Sequence, residues 1–385
     1  MRSCLLGWTF VMSYKLTRIS RRSALLLPLA AALPGRARAA MPPIMDALGR
    51  PVALRAPAER IVLGFNYEEF TAIGGVDGWK RVVGFDRKQW AVNRPSLWAR
   101  YQQAIPGLAD LPDIGVMGED TFSMERLLAL RPDLLVVIAY DYKADGPLMQ
   151  RIEAAGIPIL VLDFQAQETA KHIAGTLALG AAIGQSARAR ELVDLYRRQT
   201  DDVARRIAGK PMPRAYFELG AGGPGVIGNT YNGAMWGRMV ENAGGANVAA
   251  GKISGPWGPM APEALLAAQP EFIFLTGSSY ANAQGAIRTG YDVDADTARQ
   301  RLIGYTKRPG WGTLPAVQAG NVYALDAGLA RALWDWTAMQ YVAKQLHPDA
   351  FADVDPLANL AKYHASYMPV PFEGTWMARL GRVAG

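Results

Sequence analysis

Glu125-Arg-Leu-Leu-Ala-Leu-Arg-Pro132-Asp133 runs directly into Leu134-Leu-Val-Val-Ile138, and the pattern returns as Glu263-Ala-Leu-Leu-Ala-Ala-Gln-Pro270-Glu271 before Phe272-Ile-Phe-Leu275. In each copy a Glu stands seven residues before a Pro, a Leu-Leu-Ala core follows the Glu, an acid follows the Pro, and an apolar run closes the unit. Proline cannot continue a helix and disfavours helical geometry just before it, so each copy reads as helix, stop, buried strand. A second pair of landmarks recurs in the same order. Gly156-Ile-Pro-Ile-Leu-Val-Leu-Asp163 and Gly320-Asn-Val-Tyr-Ala-Leu-Asp326 each lead from a glycine into a strand that ends in aspartate. Two matches in one order describe two related α/β lobes.

Working outward, short β-rich runs alternate with helical stretches, the pattern of an α/β sheet protein. Strands are expected at Arg60–Phe65, Arg81–Gly84, Leu134–Ala139 and Pro158–Leu162, then at Arg214–Leu219, Glu271–Thr276 and Asn321–Leu325. Between the halves Thr169 to Ala182 is Ala/Leu-rich, Gly184 breaks it, and Ser186 is placed to cap a second helix reaching Ile207. Leu192, Tyr196, Val203 and Ile207 give that helix one apolar face, and 22 residues make it about 33 Å long. The expected organisation is an export signal at 1–39, an N-terminal lobe at 40–183, a bridging helix at 184–209 and a C-terminal lobe with a tail at 210–385. The fold class is α/β, with two Rossmann-like lobes bridged by one long helix and a ligand cleft between them.

The chain has 385 residues, half of them apolar, and a formal charge of +7. That charge is not a nucleic-acid footprint. Residues 1–39 hold seven bases and no acid, and without them 34 bases face 34 acids. Ser20-Arg21-Arg22-Ser23, the apolar run Ala24–Leu33 and Ala37-Arg38-Ala39 read as an export signal cleaved before Ala40. The apolar run is too short to span a bilayer. The paired arginines resemble the twin-arginine motif, with Ala24 where that motif usually has Phe; Sec export stays open. The single cysteine, Cys4, lies inside this leader and is not placed for lipidation, so the expected product is exported, soluble, cysteine-free and without a disulfide.

These residues resemble a known family, the periplasmic substrate-binding proteins of ABC importers for ferric siderophores, haem and cobalamin. The resemblance runs from Asp46 to about Asp355. It rests on Asp46-Ala-Leu-Gly49-Arg50-Pro-Val52, Pro57-Ala-Glu-Arg60-Ile61-Val62, the two repeated units, Ala243-Gly-Gly-Ala-Asn247-Val248 and Trp311-Gly-Thr-Leu-Pro-Ala-Val-Gln-Ala-Gly320. The loop after the first strand reads Phe65-Asn66-Tyr67 where the family usually has Ser-Pro. Met368 to Trp376 lies outside the core pattern. The resemblance implies a monomer in the periplasm that grips ligand between lobes and docks on an inner-membrane permease through one acid per lobe, here Glu125 and Glu263. Each glutamate also suits the first turn of its helix, where an acid is stabilised by the helix dipole.

In open α/β sheets ligands bind beyond the carboxyl ends of the strands. That rule selects Asn66, Tyr67, Arg87, Lys88, Trp90, Tyr140, Tyr142 and Lys143 in the first lobe, and Tyr231, Trp257, Ser279, Tyr280, Arg331 and Trp334 in the second. Aromatic rings with a few cations suit a bulky, flat or anionic chelate, although such rings also fill interfaces between lobes. The expected cargo is an Fe(III) chelate, a ferric siderophore, with haem or cobalamin as alternatives and no resident cofactor or metal. His172, His347 and His364 lack the spacing of a metal site and read as core or capping residues. Gly220-Ala-Gly222-Gly223-Pro224-Gly225 matches a dinucleotide fingerprint, but Pro224 interrupts it and no helix follows; it reads as a loop lining the cleft. An exported enzyme acting on the chelate is the competing class, and no nucleophile-base motif supports it.

Overall fold

The computed structural model describes residues 42–279 and 284–381; the expected export signal lies outside the described residues. Residues 40–385 form one compact unit. The chain opens with a hairpin, β1 (Ile44–Met45) against β2 (Pro51–Val52). Asp46 holds its turn, accepting from the Leu48 and Arg50 amides. The first sheet follows from β3 (Ile61–Leu63), β4 (Val82–Phe85), β5 (Leu134–Ile138) and β6 (Ile159–Leu162). These strands are all parallel in the order β4-β3-β5-β6, and nearly every residue in them is buried, as expected for a sheet covered by helices on both faces.

The second sheet is built from β7 (Arg214–Leu219) onward. A side hairpin pairs β8 (Asn229–Tyr231) with a later strand, and β9 (Ala246–Asn247) joins the sheet edge. β10 (Trp257–Pro259) is the partner of β8, with Trp257 opposite Tyr231. β11 (Phe272–Gly277), β12 (Val322–Asp326) and β13 (Met377–Arg379) complete the order β13-β12-β11-β7-β9. Only β13 runs antiparallel there, so the tail beyond Met368 supplies an edge strand of this sheet. Phe217, Phe274 and Tyr323 stack face to face along the same sheet surface, 4.7 and 5.0 Å between ring centroids.

The repeated units occupy equivalent places. Helix Met124–Ala129 precedes β5, and helix Pro262–Ala268 precedes β11, each burying the first Leu of its Leu-Leu pair, Leu127 and Leu265. Each ends in a left-handed residue immediately before the proline, Arg131 at φ 45° and Gln269 at φ 46°. Duplication therefore extends to backbone geometry that no L-residue favours.

Helix Thr169–Ala182 and the 22-residue helix Ser186–Ile207 join the two sheets. Gly184 makes the break between them at φ 71°, a conformation glycine adopts without cost. Ser186 is the first helical residue rather than the cap; Gln185 holds the cap position and makes no side-chain bond there. Leu192, Tyr196 and Val203 are buried along the inner face. No helix among the described residues is long and apolar enough to cross a membrane.

Candidate functional site

The carboxyl ends of both parallel sheets converge on a cavity of about 500 Å³. From the first lobe come Phe65 after β3, Gln89 after β4, the loop Val116–Glu119, Ile138, Tyr140 and Asp141 at the end of β5, and Gln165 after β6. The second lobe adds Leu219 from β7, Asn229 and Tyr231 from β8, Met235, Trp257 from β10 and Arg331. Most of this wall is apolar, with a few convergent polar groups, the composition of a small-molecule site.

Two contacts across the cleft define its mouth. The Tyr140 and Trp257 rings lie 5.1 Å apart at 55°, and they remain 52% and 36% exposed. The Arg331 guanidinium sits 5.5 Å above the Phe65 ring. Elsewhere between the lobes the Met235 amide donates to the Gln165 carbonyl at 3.0 Å, and Arg100 pairs with Asp292 at 2.8 Å. The lobes are therefore closed on one another. The Tyr140–Trp257 pair also separates the main cavity from a second one of about 260 Å³, which Lys143, Asp163, Glu168 and Lys171 line.

Of the expected contact residues, Tyr140, Tyr231, Trp257 and Arg331 meet at the cavity. Tyr67, Trp90 and Trp334 are in the core instead. A helix starts at Tyr67 itself, so the ring turns inward, donates to the Asp86 carbonyl at 2.5 Å and lies 4.7 Å from Trp90. Trp90 stacks on Trp79 and is fully buried; Trp334 packs on Tyr363 and His364. Arg87 curls back to the carbonyls of Ala109 and Leu111, and Tyr142 is covered by Arg50, so neither lines the cavity. Tyr280 lies outside the described residues. The sequence rule missed Phe65, Met117, Glu119, Asp141 and Met235. Phe65 and Asp141 sit at strand ends and obey the rule, while Glu119 and Met117 come from a loop that only folding brings near. Gly115 shapes that loop at φ 75°, where a Cβ would strike the Thr121 carbonyl at 1.9 Å.

The glycine-rich segment does not line the cleft. Its Gly223, Pro224 and Val226 carbonyls point at Arg308, which also makes a bidentate pair with Glu218 at 2.8 and 2.9 Å. Carbonyls around a guanidinium are the opposite of a phosphate cradle, which presents amides.

The histidines are core residues. His172 bonds the Phe164 carbonyl at 2.7 Å and His347 the Gly244 carbonyl at 3.1 Å. Burial pushes His172 and His364 down to about 4, so both are neutral at pH 7. Among the described residues no three His, Cys, Asp or Glu side chains group as metal ligands.

Residues 70–329 match the family described as periplasmic binding protein. The chain belongs to that family. Its fold aligns with the TroA-like periplasmic binding protein FepB from Veillonella parvula at 30% identity and a TM-score of 0.81, covering 89% of this chain and all of that one. A periplasmic haem-binding protein from Pseudomonas aeruginosa aligns at 19% identity and 0.55, over 85% of this chain and 100% of the other. The Haemophilus influenzae protein MolA, bound to molybdate and cognate to an ABC transporter, aligns at 19% and 0.64, over 86% and 99%. No curated protein sequence matches the chain. Periplasmic binding proteins are solute-binding rather than catalytic, and membership implies a periplasmic location. The family resemblance read from the sequence thus stands, while the named ligands of its members differ.

Proposed function

We propose that this periplasmic binding protein is the capture component of an ABC importer for an iron chelate, a ferric siderophore, and that it works as a monomer without chemistry on its cargo. The observation that supports this reading is the aromatic cavity shared by both lobes. Its rings suit the flat or bulky surface of a chelate that brings its own donor atoms to the metal. Ligand touching both walls stabilises the closed arrangement by its differential affinity for it. Lobes joined by a stiff helix pair open through small rotations.

Titrating the mature protein with ferric hydroxamate, catecholate and citrate chelates, haem and cobalamin tests the reading through tryptophan fluorescence. Among the described residues Trp257 is the tryptophan at the cavity, so saturable quenching by one class is expected to come chiefly from it. Trp257→Phe is expected to keep the affinity and lose most of the quenching. Trp257→Ala is expected to weaken binding by roughly tenfold, the worth of one aromatic contact. A folded protein that answers none of these ligands would sink the iron-chelate assignment.

The resemblance assigns permease docking to Glu125 and Glu263, and both are exposed in the first turns of the equivalent helices. Carboxylates held on opposite lobes are suited to pair with arginines on a two-fold symmetric permease. The Glu125→Ala/Glu263→Ala double variant is expected to retain ligand affinity while losing uptake by tenfold or more, on the order of two lost charge-assisted contacts. Uptake equal to wild type would remove both residues from the docking surface.

A further inference from the structure

Three of the four cations expected to greet an anionic chelate are not available to the cavity. Arg87 is spent on the carbonyls of Ala109 and Leu111. Lys88 is tied to Glu119, at 2.7 and 3.1 Å. Lys143 lies beyond the aromatic pair, in the neighbouring recess. Arg331 remains at the wall, and the wall also holds two carboxylates, Glu119 and Asp141. Glu119 is neutralised by Lys88. Asp141 is different: its carboxylate has no hydrogen bond or ion pair among the described residues.

The surroundings of Asp141 sharpen the contrast. It sits in the first turn of helix Ala139–Ala144, beside Tyr140 at the cavity mouth. Asp86 and the Tyr67 hydroxyl are its electrostatic neighbours within the lobe, and Asp113 adds to the charge around Asp86. The Asp86 and Asp113 carboxylates accept backbone amides, of Lys88 and of Arg87 and Gly115, and neither gains a side-chain cation. The first-lobe wall is therefore electronegative, facing Arg331 from the second lobe. Burial raises the Asp141 carboxyl to about 6, which leaves it ionised at neutral pH.

We infer that Asp141 sets the charge selectivity of this cavity, which takes a neutral or cationic chelate whose protonated amine or other donor group faces the Asp141 carboxylate, and disfavours polyanionic chelates. A partly buried carboxylate with no partner carries a desolvation cost that a cationic ligand offsets and an anionic ligand increases. This rests on the cavity being the binding site for an iron chelate, and the experiment below separates the two.

Three ferric probes share the metal and differ in charge: a linear trihydroxamate with a free amine (net +1), the same compound N-acetylated (neutral), and a tris-catecholate (net −3). The cationic probe is expected to bind about tenfold tighter than its acetylated form at pH 7.5, a figure between that of an exposed ion pair and that of a buried interfacial one. The tris-catecholate is expected to bind weakest. Asp141→Asn is expected to abolish the difference between the first two by weakening the cationic probe. Lowering the pH to 5 is expected to shrink it to about twofold in the wild type, because most of the carboxyl is then protonated.

Equal affinity for the amine and its acetylated form, an unchanged difference in Asp141→Asn, or tightest binding of the tris-catecholate would each overturn the inference. If no ferric probe binds the folded protein, the iron-chelate reading fails by itself. A metal-free pair, naphthylmethylammonium and naphthoate, then decides the charge question. Preference for the ammonium that Asp141→Asn removes sustains the inference; equal binding of the two overturns it.

Discussion

Replacing Arg308 by alanine is expected to destabilise the protein by about 3–5 kcal/mol, the usual cost of leaving one half of a buried ion pair behind. The thermal midpoint should fall by on the order of 5–10 °C. Arg308 and Glu218 are 4% and 0% exposed at their side chains and pair through both guanidinium nitrogens. The guanidinium lies 4.3 Å from the Tyr305 ring and 4.7 Å from the Trp311 ring, so two aromatic faces add to its stabilisation. Its remaining N–H groups donate to the Pro224, Gly223 and Val226 carbonyls. Alanine strands the Glu218 carboxylate, which would keep only the Tyr216 hydroxyl at 3.1 Å and the Gly228 amide at 2.9 Å.

The same change should reach the ligand. The loop held by Arg308 carries the chain from Leu219 to Asn229 and Tyr231, three residues of the cavity wall. An Arg308→Met/Glu218→Leu double variant is expected to recover most of the stability, since apolar groups of similar volume often replace a buried pair at little cost. It should not recover ligand affinity, because the loop carbonyls still lack their donor. Thermal denaturation of the three proteins, with ligand titration of each, separates the effects. A loss below about 1 kcal/mol in Arg308→Ala would show that the pair behaves as a solvent-exposed one.

How far the sequence could be read follows from which interactions are local. All seven expected strands of the two main sheets are present, because buried parallel strands announce themselves as apolar runs between turn signals. The long helix spans Ser186–Ile207, between Gly184 and Gly209, which punctuate the sequence in the same way. β8 and β10 gave no such signal: they are three residues each, β10 is largely exposed, and their pairing joins Tyr231 to Trp257 across a helix and the edge strand β9. The edge strand β13 was hidden by the prolines and glycine just before it.

At the site, strand-end position located the cavity but not side-chain direction. Tyr140 and Tyr67 follow strands of the same sheet, and only one points into the cleft. Tyr67 opens a 12-residue helix and its ring is packed against Trp90 and Phe85, whereas Tyr140 is an exposed residue in the first turn of a six-residue one. Charge was misread through pairing. Arg87 and Lys88 looked like ligand-facing cations, and backbone carbonyls and Glu119 had already claimed them. Such partners lie more than twenty residues away and leave no trace in local composition.

The same lesson governs stability against pH. Stability is expected to fall as pH rises from 6.5 to 8, and Glu69→Gln should remove about 1.4 kcal/mol of that fall per pH unit. Glu69 is buried beside Glu68, on the helix Tyr67–Gly78 that packs toward the second lobe. Burial first, and then the Glu68 charge, raise its carboxyl to about 8, against the Asn66 side chain, which donates to it at 3.0 Å. The folded protein thus holds a proton that the unfolded chain releases near its ordinary carboxylate pKa. With more protons bound to the native state, stability declines with pH until Glu69 itself ionises. Asp86, raised to about 7 by burial, acts in the same direction over the lower part of this range. Asp335 is also raised by burial, and the Gln167 side chain donates to it at 2.7 Å across the lobe interface. His172 and His364 pull the other way only below about 6.5, where the unfolded chain takes up protons that these buried rings refuse. The window from 6.5 to 8 therefore isolates the carboxyls. Urea denaturation at intervals across it, for wild type and Glu69→Gln, gives the slope directly. The neutral amide keeps the shape and can still accept from Asn66, so the variant should match the wild type within about 1 kcal/mol near pH 4.5, exceed it by about 2 kcal/mol at pH 6, and exceed it further at pH 8. Parallel pH profiles for the two proteins would mean that Glu69 is ionised in the folded state. The acids between the lobes would then be held by charge pairing with Arg94 rather than by protonation.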